Sequence, residues 1–194
     1  MKVQHIVLTS EFGSGARLIG QQLAGDLNIP FYGEEILLNM VAEQLNIDKN
    51  ILKLFDDSFI ENKRFQQESV TEQQIIESYT STIKSLAGEG PCIFMERGSD
   101  FILKESVPFL NVYVYTSNME KKRERATRVG GVDKSMTESF VLQQALQRKH
   151  FYQRYTKIQR GVINEYDLCI NSDTLTDDPL DMSKCVNILK SVMS

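Results

Sequence analysis

Residues 9 to 20 read TSEFGSGARLIG, so Gly13, Ser14, Gly15 and Arg17 directly follow the apolar run HIVLT. A strand, a glycine-rich turn and a helix in that order predict a phosphate cradle. Glycines reach positive φ and let successive backbone N–H groups converge on an anion, and the helix N-terminus adds its positive end. The usual frame is G-x-x-x-x-G-K-[ST]. On it Ser10 stands at the first glycine, Gly15 at the second, Ala16 at the lysine and Arg17 at the Ser/Thr position. The frame thus lacks the ammonium normally set between the β- and γ-phosphates and the hydroxyl normally set on magnesium. Arg17 can clamp a phosphate with its planar fork. One step along a helix turns the side chain by about 100°, so it is no isostere of lysine. A solvated helix residue above an ordinary turn accounts for the stretch equally well.

A second set of candidates is cationic. Lys121, Lys122, Arg123, Arg125, Arg128, Arg148, Lys149, Arg154, Lys157 and Arg160 gather in one third of a chain whose net charge is -4. Phosphoryl transfer needs such a cluster, because its catalysis is mostly positioning and charge stabilisation. Arg125 and Arg128, at i and i+3, are expected on one helix face, whereas Arg148 and Arg154 are not. For any single one of these residues, a solvated basic helix is the competing account. The stretch FMERGSD brings Glu96, Arg97 and Asp100 to the end of an apolar run, where an arginine can hold an acceptor phosphate and a carboxylate can ligate magnesium. A surface ion pair explains Glu96 as readily. His5 is read as a core histidine and His150 as part of the basic helix. No Ser/His/Asp or Cys/His set and no metal-ligand spacing can be assembled.

The elements that must position these groups follow from periodicity. The runs 3–9, 91–96, 111–116 and 167–172 are apolar almost throughout, which predicts parallel strands buried on both faces. A fifth, very short strand is expected in IPFYG, residues 29–33. Helices are expected over 16–27, over two pieces of 34–55 with Asp48 as a cap, over 60–87, from Ser117 or Asn118 to Gly130, over 136–164 and over 179–192. Alternating strands and helices imply an α/β sandwich on a parallel sheet, with ligands outside the carboxyl ends of the strands. The span 34–88 is too long for a simple crossover and is expected to form a helical subdomain over one end of the sheet.

At 194 residues with 41% hydrophobic content, the chain suits one domain. An acidic balance, with a pI near 5.3, argues against broad nucleic-acid or membrane-surface binding. No apolar run approaches the ~20 residues that span a bilayer, and the N-terminus shows no secretory pattern. Cys92, Cys169 and Cys185 are odd in number and far apart, so a reducing cytoplasm is the expected location.

Four ordered motifs then carry a resemblance. IVLTSEFGSGARLIGQQLAGDLNIPFYGEEIL, GPCIFMERGSDFIL, RKHFYQRYT and YDLCINS are similar to stretches of the cytidylate kinase-like family, a branch of the P-loop nucleoside monophosphate kinases. The resemblance implies a three-layer α/β P-loop kinase fold with a five-stranded parallel sheet, as a single domain over 1–194. It also implies a helical insert at about 34–88 that grips the monophosphate and a basic lid at about 118–160. The implied reaction is phosphoryl transfer from ATP with Mg2+ to a nucleoside monophosphate, CMP or dCMP before others. On this basis Glu11, Phe12, Gly13, Ser14, Gly15, Ala16 and Arg17 line the donor phosphates, and Arg97 and Asp100 face the acceptor, with Asp100 on the metal. Arg17, Arg148, Arg125 and Arg128 act on the transferred group, with Arg123 also in the lid region. The chain departs from the family pattern at Ser10 (arginine there), Ala16 and Glu96 (glycine at both) and Ala145 (an acidic residue). Those departures keep two alternatives open: a nucleotide-binding or regulatory protein without turnover, and a kinase for another small acceptor. Nucleotides are the expected partners, without nucleic acid or membrane; a homodimer is left open.

Overall fold

The computed structural model describes residues 5–57, 70–173, 175 and 178–193. In chain order the strands are β1 His5–Ser10, β2 Phe31–Tyr32, β3 Ile93–Met95, β4 Phe109–Tyr115 and β5 Leu168–Asn171. The helices are α1 Ala16–Leu27, α2 Glu34–Leu45, α3 Lys49–Asp57, α4 Glu72–Glu89, α5 Ser99–Leu103, α6 Met119–Gly130, α7 Thr137–Thr156 and α8 Ser183–Met193. Part of the helix expected over 60–87 lies outside the described residues.

All five strands pair in parallel in the order β2-β3-β1-β4-β5. β1 is central and every residue in it is buried, which explains the apolar run Ile6, Val7 and Leu8 at its middle. One face of the sheet packs Ile6, Leu8, Val112 and Val114 against Ile19 and Leu23 of α1 and Val186 and Leu189 of α8. The opposite face packs Val7 and Phe94 against Leu37 and Val41 of α2 and Tyr79 and Ile83 of α4. Each of these aliphatic side chains contributes about 1.5–3 kcal/mol by leaving water. The result is a three-layer α/β sandwich.

Three expectations need correction. The insert helices do not sit over an end of the sheet; α2 and α4 cover a face of it. β4 is not buried on both faces, because its exposure alternates along the strand. Tyr113 on its more open side stacks on Tyr166, in the loop before β5, at 4.8 Å. The long basic helix stops at Thr156, where Lys157 adopts a left-handed φ of 59°. Caps fall where side chains could supply them: Asn118 Oδ1 accepts from Lys121 N at 3.1 Å, and Asp48 Oδ1 from Asn50 N at 2.7 Å. His5 is a core residue as expected, with Nδ1 at 3.3 Å from Cys92 Sγ and burial lowering its pKa.

Candidate active site

From β1 the chain steps one way across β3 and the other way to β4, so the carboxyl end of β1 opens into a crevice. The loop 11–15 fills it. Glu11 N still pairs with Val114 O at 3.0 Å, and Ser14 N turns back to Glu11 O at 3.1 Å. Gly13 and Gly15 take φ of +77° and +88°, values side chains resist. Their lack of a Cβ is also steric: a methyl on Gly13 would lie 2.9 Å from Lys122 Cα, and one on Gly15 2.6 Å from Met182 Cε.

The turn is braced from below. Ser172 Oγ donates to Ser14 O at 2.7 Å, and Arg125 donates to Gly13 O at 2.9 Å and to Pro179 O at 2.6 Å. Arg125 is 3% exposed, and burial depresses the pKa of its guanidinium. Its hydrogen bonds hold the cradle, and so its placement is that of a brace. Arg128, expected on the same face, instead points to solvent and pairs with Glu124 at 2.9 Å. α6 buries only Arg125 and Ala126, a stripe too narrow to include both arginines.

A cavity of about 140 Å3 lies over the turn, lined by residues 10–18 with Met95, Arg125, Val129 and Arg148. Ser14 Oγ is buried at the turn without a hydrogen-bond partner among the described residues. Phosphate oxygens would supply the missing acceptor, as they would for the open N–H groups of the first turn of α1. The cradle therefore fits the phosphates of a nucleotide donor.

A second cavity of about 580 Å3 adjoins the first and shares Phe12, Arg17, Gly130 and Arg148 with it. Its walls include Glu34, Asn39, Lys49 and Lys53 from α2 and α3, Arg97 after β3, and Gln144, Gln147 and Phe151 from α7. Phe12 meets the Phe140 ring edge-on at 5.6 Å, and the Arg148 guanidinium lies 5.3 Å from the Phe12 ring centre. The Arg97 guanidinium lies 4.6 Å from the Phe151 ring centre.

Glu96 is buried, not at the surface. Its carboxylate accepts from Ser10 N at 2.8 Å, Ser10 Oγ at 2.9 Å, Arg148 Nη1 at 3.3 Å and Arg160 Nη2 at 2.6 Å. Arg160 also donates to Ser10 O. Burial works most strongly against the Arg160 charge, but Glu96, Tyr113, Tyr166 and Glu34 together outweigh it, and the guanidinium is held protonated more firmly than usual. Arg148 Nη2 bonds Glu34 Oε2 at 3.1 Å. For Glu34, burial pushes the pKa up, but Arg148, then Arg97, Arg17 and Arg160, pull it below the ordinary value.

The expected residues thus divide. Phe12, Gly13, Ser14, Gly15, Ala16, Arg17, Arg97 and Arg148 come together around the two cavities. Glu11 sits at the cradle with its carboxylate bound to Lys122 Nζ at 2.9 Å. Asp100 does not join them. Its carboxylate is buried, accepts the Tyr152 hydroxyl at 2.7 Å and lines a separate depression with Lys104 and Asn111. Burial raises its pKa, against the Tyr152 hydrogen bond. Asp100 does not fit a magnesium ligand, and among the described residues no three His, Cys, Asp or Glu form a metal site. Sequence reasoning missed Glu34, and Arg160 stood only as one of many cations. A usable signal was that Ser10 and Glu96 depart from the family pattern on neighbouring strand ends.

Fold and site together define a three-layer α/β kinase fold whose glycine turn carries Ala16 where the usual frame has lysine. The chain belongs to the cytidylate kinase-like family, matched over residues 5–174. No curated protein matches it. Among solved structures it is similar to a protein of Eubacterium ventriosum, with 19% identity, TM-score 0.69 and 97% of each chain covered. It is also similar to shikimate kinase of Bacteroides thetaiotaomicron, with 15% identity, TM-score 0.58 and 97% of each chain covered. A gluconokinase of Sinorhizobium meliloti shares 15% identity at TM-score 0.50, with 100% of this chain and 93% of that one covered. These likenesses are of fold. Among the described residues, no helix is long and apolar enough to cross a membrane.

Proposed function

We propose that the protein transfers the γ-phosphoryl group of ATP to a nucleoside monophosphate, with CMP and dCMP as the first acceptors to test. The observation that carries this reading is the pair of adjoining cavities that meet at Arg17 and Arg148, one over the glycine turn and one walled by α2, α3 and α7. The donor phosphates lie on the N–H groups of residues 13, 15 and 16, with Ser14 Oγ completing the cradle. Arg17 stands at the junction, exposed and on the first turn of α1. There it offsets charge as the phosphoryl group passes between the cavities. Arg97 meets the acceptor phosphate, which is already anionic and needs no general base. Magnesium, when bound, would be held through phosphate oxygens and water and would supply charge neutralisation.

A second reading, nucleotide binding without transfer, is favoured by Ala16 at the lysine position and by the ties of Arg148 and Arg160 to Glu96. A third, transfer to another small acceptor, is favoured by the polar wall of Glu34, Asn39, Lys49 and Lys53. Transfer from Mg-ATP to CMP, dCMP, UMP, AMP and GMP, resolved by chromatography, separates the first reading from the other two. The expected outcome is product from one or two acceptors, falling about 100-fold or more with Arg17→Ala. Product from none of them, with ATP still bound, sinks the monophosphate-kinase reading.

A further inference from the structure

The donors around Glu96 are the kinds that bind phosphate: a backbone N–H, a hydroxyl and two guanidinium groups. They converge from three places in the chain, β1, α7 and the segment after α7. The backbone beneath them is that of glycine. Glu96, Arg97 and Gly98 take φ of +66°, +58° and +68° in succession. Non-glycine residues resist that conformation, because Cβ crowds the following carbonyl. Strain of this kind persists where something specific holds it. Here the holder is the carboxylate, whose side chain is 6% exposed and bonded by Arg160 Nη2 at 2.6 Å to each oxygen.

The geometry points to Glu96 as a built-in anion that fills a phosphate receptor made of Ser10, Arg148 and Arg160. Phosphate entering the cavity competes with this carboxylate for both arginines, so the native chain binds anions there more weakly than its cations alone would allow. Glu96 therefore sets affinity and selectivity at the cavity floor. A ligand keeps its hold only if Arg17 and the cradle also engage it, as a nucleotide does and a lone phosphate does not. The role assigned to a nucleotide rests on the phosphoryl-transfer reading, but anion binding can be measured without turnover.

The test uses Glu96→Gly, which suits the left-handed backbone, and Glu96→Gln, which keeps the shape without the charge. Metal-free inorganic pyrophosphate is titrated into each by calorimetry in EDTA. Affinity is expected to rise about tenfold or more in both, equivalent to about 1.4 kcal/mol. Thermal unfolding is followed in parallel in chloride and in formate. Formate is expected to raise the midpoint of Glu96→Gly, by restoring a carboxylate to the receptor, and to leave the native chain unchanged. Pyrophosphate affinity that stays the same or falls in the folded variants overturns the inference, as does formate that stabilises neither variant. If pyrophosphate binds more tightly while no protein turns over any acceptor, the kinase reading fails and this one stands.

Discussion

Replacing Arg125 with methionine tests whether that arginine supports the cradle or acts on the transferred phosphate. The side chain is 3% exposed and gives two close hydrogen bonds, 2.6 Å to Pro179 O and 2.9 Å to Gly13 O, with Ser172 Oγ farther off at 3.4 Å. Hydrogen bonds from a charged donor contribute about 1.5–3 kcal/mol each, so the two close ones give about 3–6 kcal/mol. Against this, the variant no longer buries a guanidinium, a cost visible in its depressed pKa. Methionine also retains most of the packing of the stem. The net loss is expected at about 2–4 kcal/mol, a fall of about 5–15 °C in midpoint for a chain of this length. Urea unfolding followed by circular dichroism measures it. Arg128→Met, on the exposed side of the same helix, serves as control and should stay within about 0.5 kcal/mol of the native chain. Nucleotide affinity should fall with Arg125→Met, because Gly13 loses its support. Equal stability of the two variants, with turnover lost only at position 125, would refute the bracing argument and return Arg125 to the chemistry.

The further predictions concern two glycines and pH. Gly13→Ala drives a methyl to 2.9 Å from Lys122 Cα at φ +77°; a loss of at least about 1–2 kcal/mol is expected, measured as a lower melting midpoint with weaker ATP binding. Gly88→Ala, in α4 with nothing within 4 Å of the added methyl, should instead gain about 0.4–1 kcal/mol. Glu34 has its pKa lowered in the fold, so its stabilisation is present above its ordinary value of 4.5 and is lost as pH falls through the folded value. Asp100 is raised, so its contribution is present below its ordinary 3.8 and is lost as pH rises through the folded value. Acid unfolding curves should therefore be flattened at their low end by Glu34→Gln, and Asp100→Asn should remove a decline on the rising side. Identical curves for all three proteins would contradict both assignments.

The glycine turn was legible in the sequence because it works through backbone conformation, which residue type announces. The strands were legible for a related reason: burial leaves short apolar runs, as Ile6, Val7 and Leu8 show in β1. Side-chain direction was not legible. Arg125 and Arg128 have identical chemistry and helical spacing, and only the packing of α6 against the turn and Pro179 sends one inward. Asp100 looked like a rim carboxylate because the strand end could be placed, whereas the turn at residues 96–98, which carries it into α5 and under Tyr152, could not. Glu96 and Arg160 stand 64 residues apart, and nothing local marks them as partners.

α7 is fastened unequally to the two sides of the cleft. Toward the insert it holds by rings and by an ion pair. Phe151 and Tyr155 pack edge-on against Tyr79 of α4 at 6.2 and 6.0 Å, and Arg154 grips Glu72 at 2.6 Å. Toward the sheet, Arg148 holds by polar bonds to Ser10 and Glu96, and these are bonds an arriving anion competes for. An anion at the floor therefore competes only with the Arg148 bonds that fasten α7 to the strand ends; the rings on α4 and the hydrogen bond from Tyr152 to Asp100 lie outside that competition.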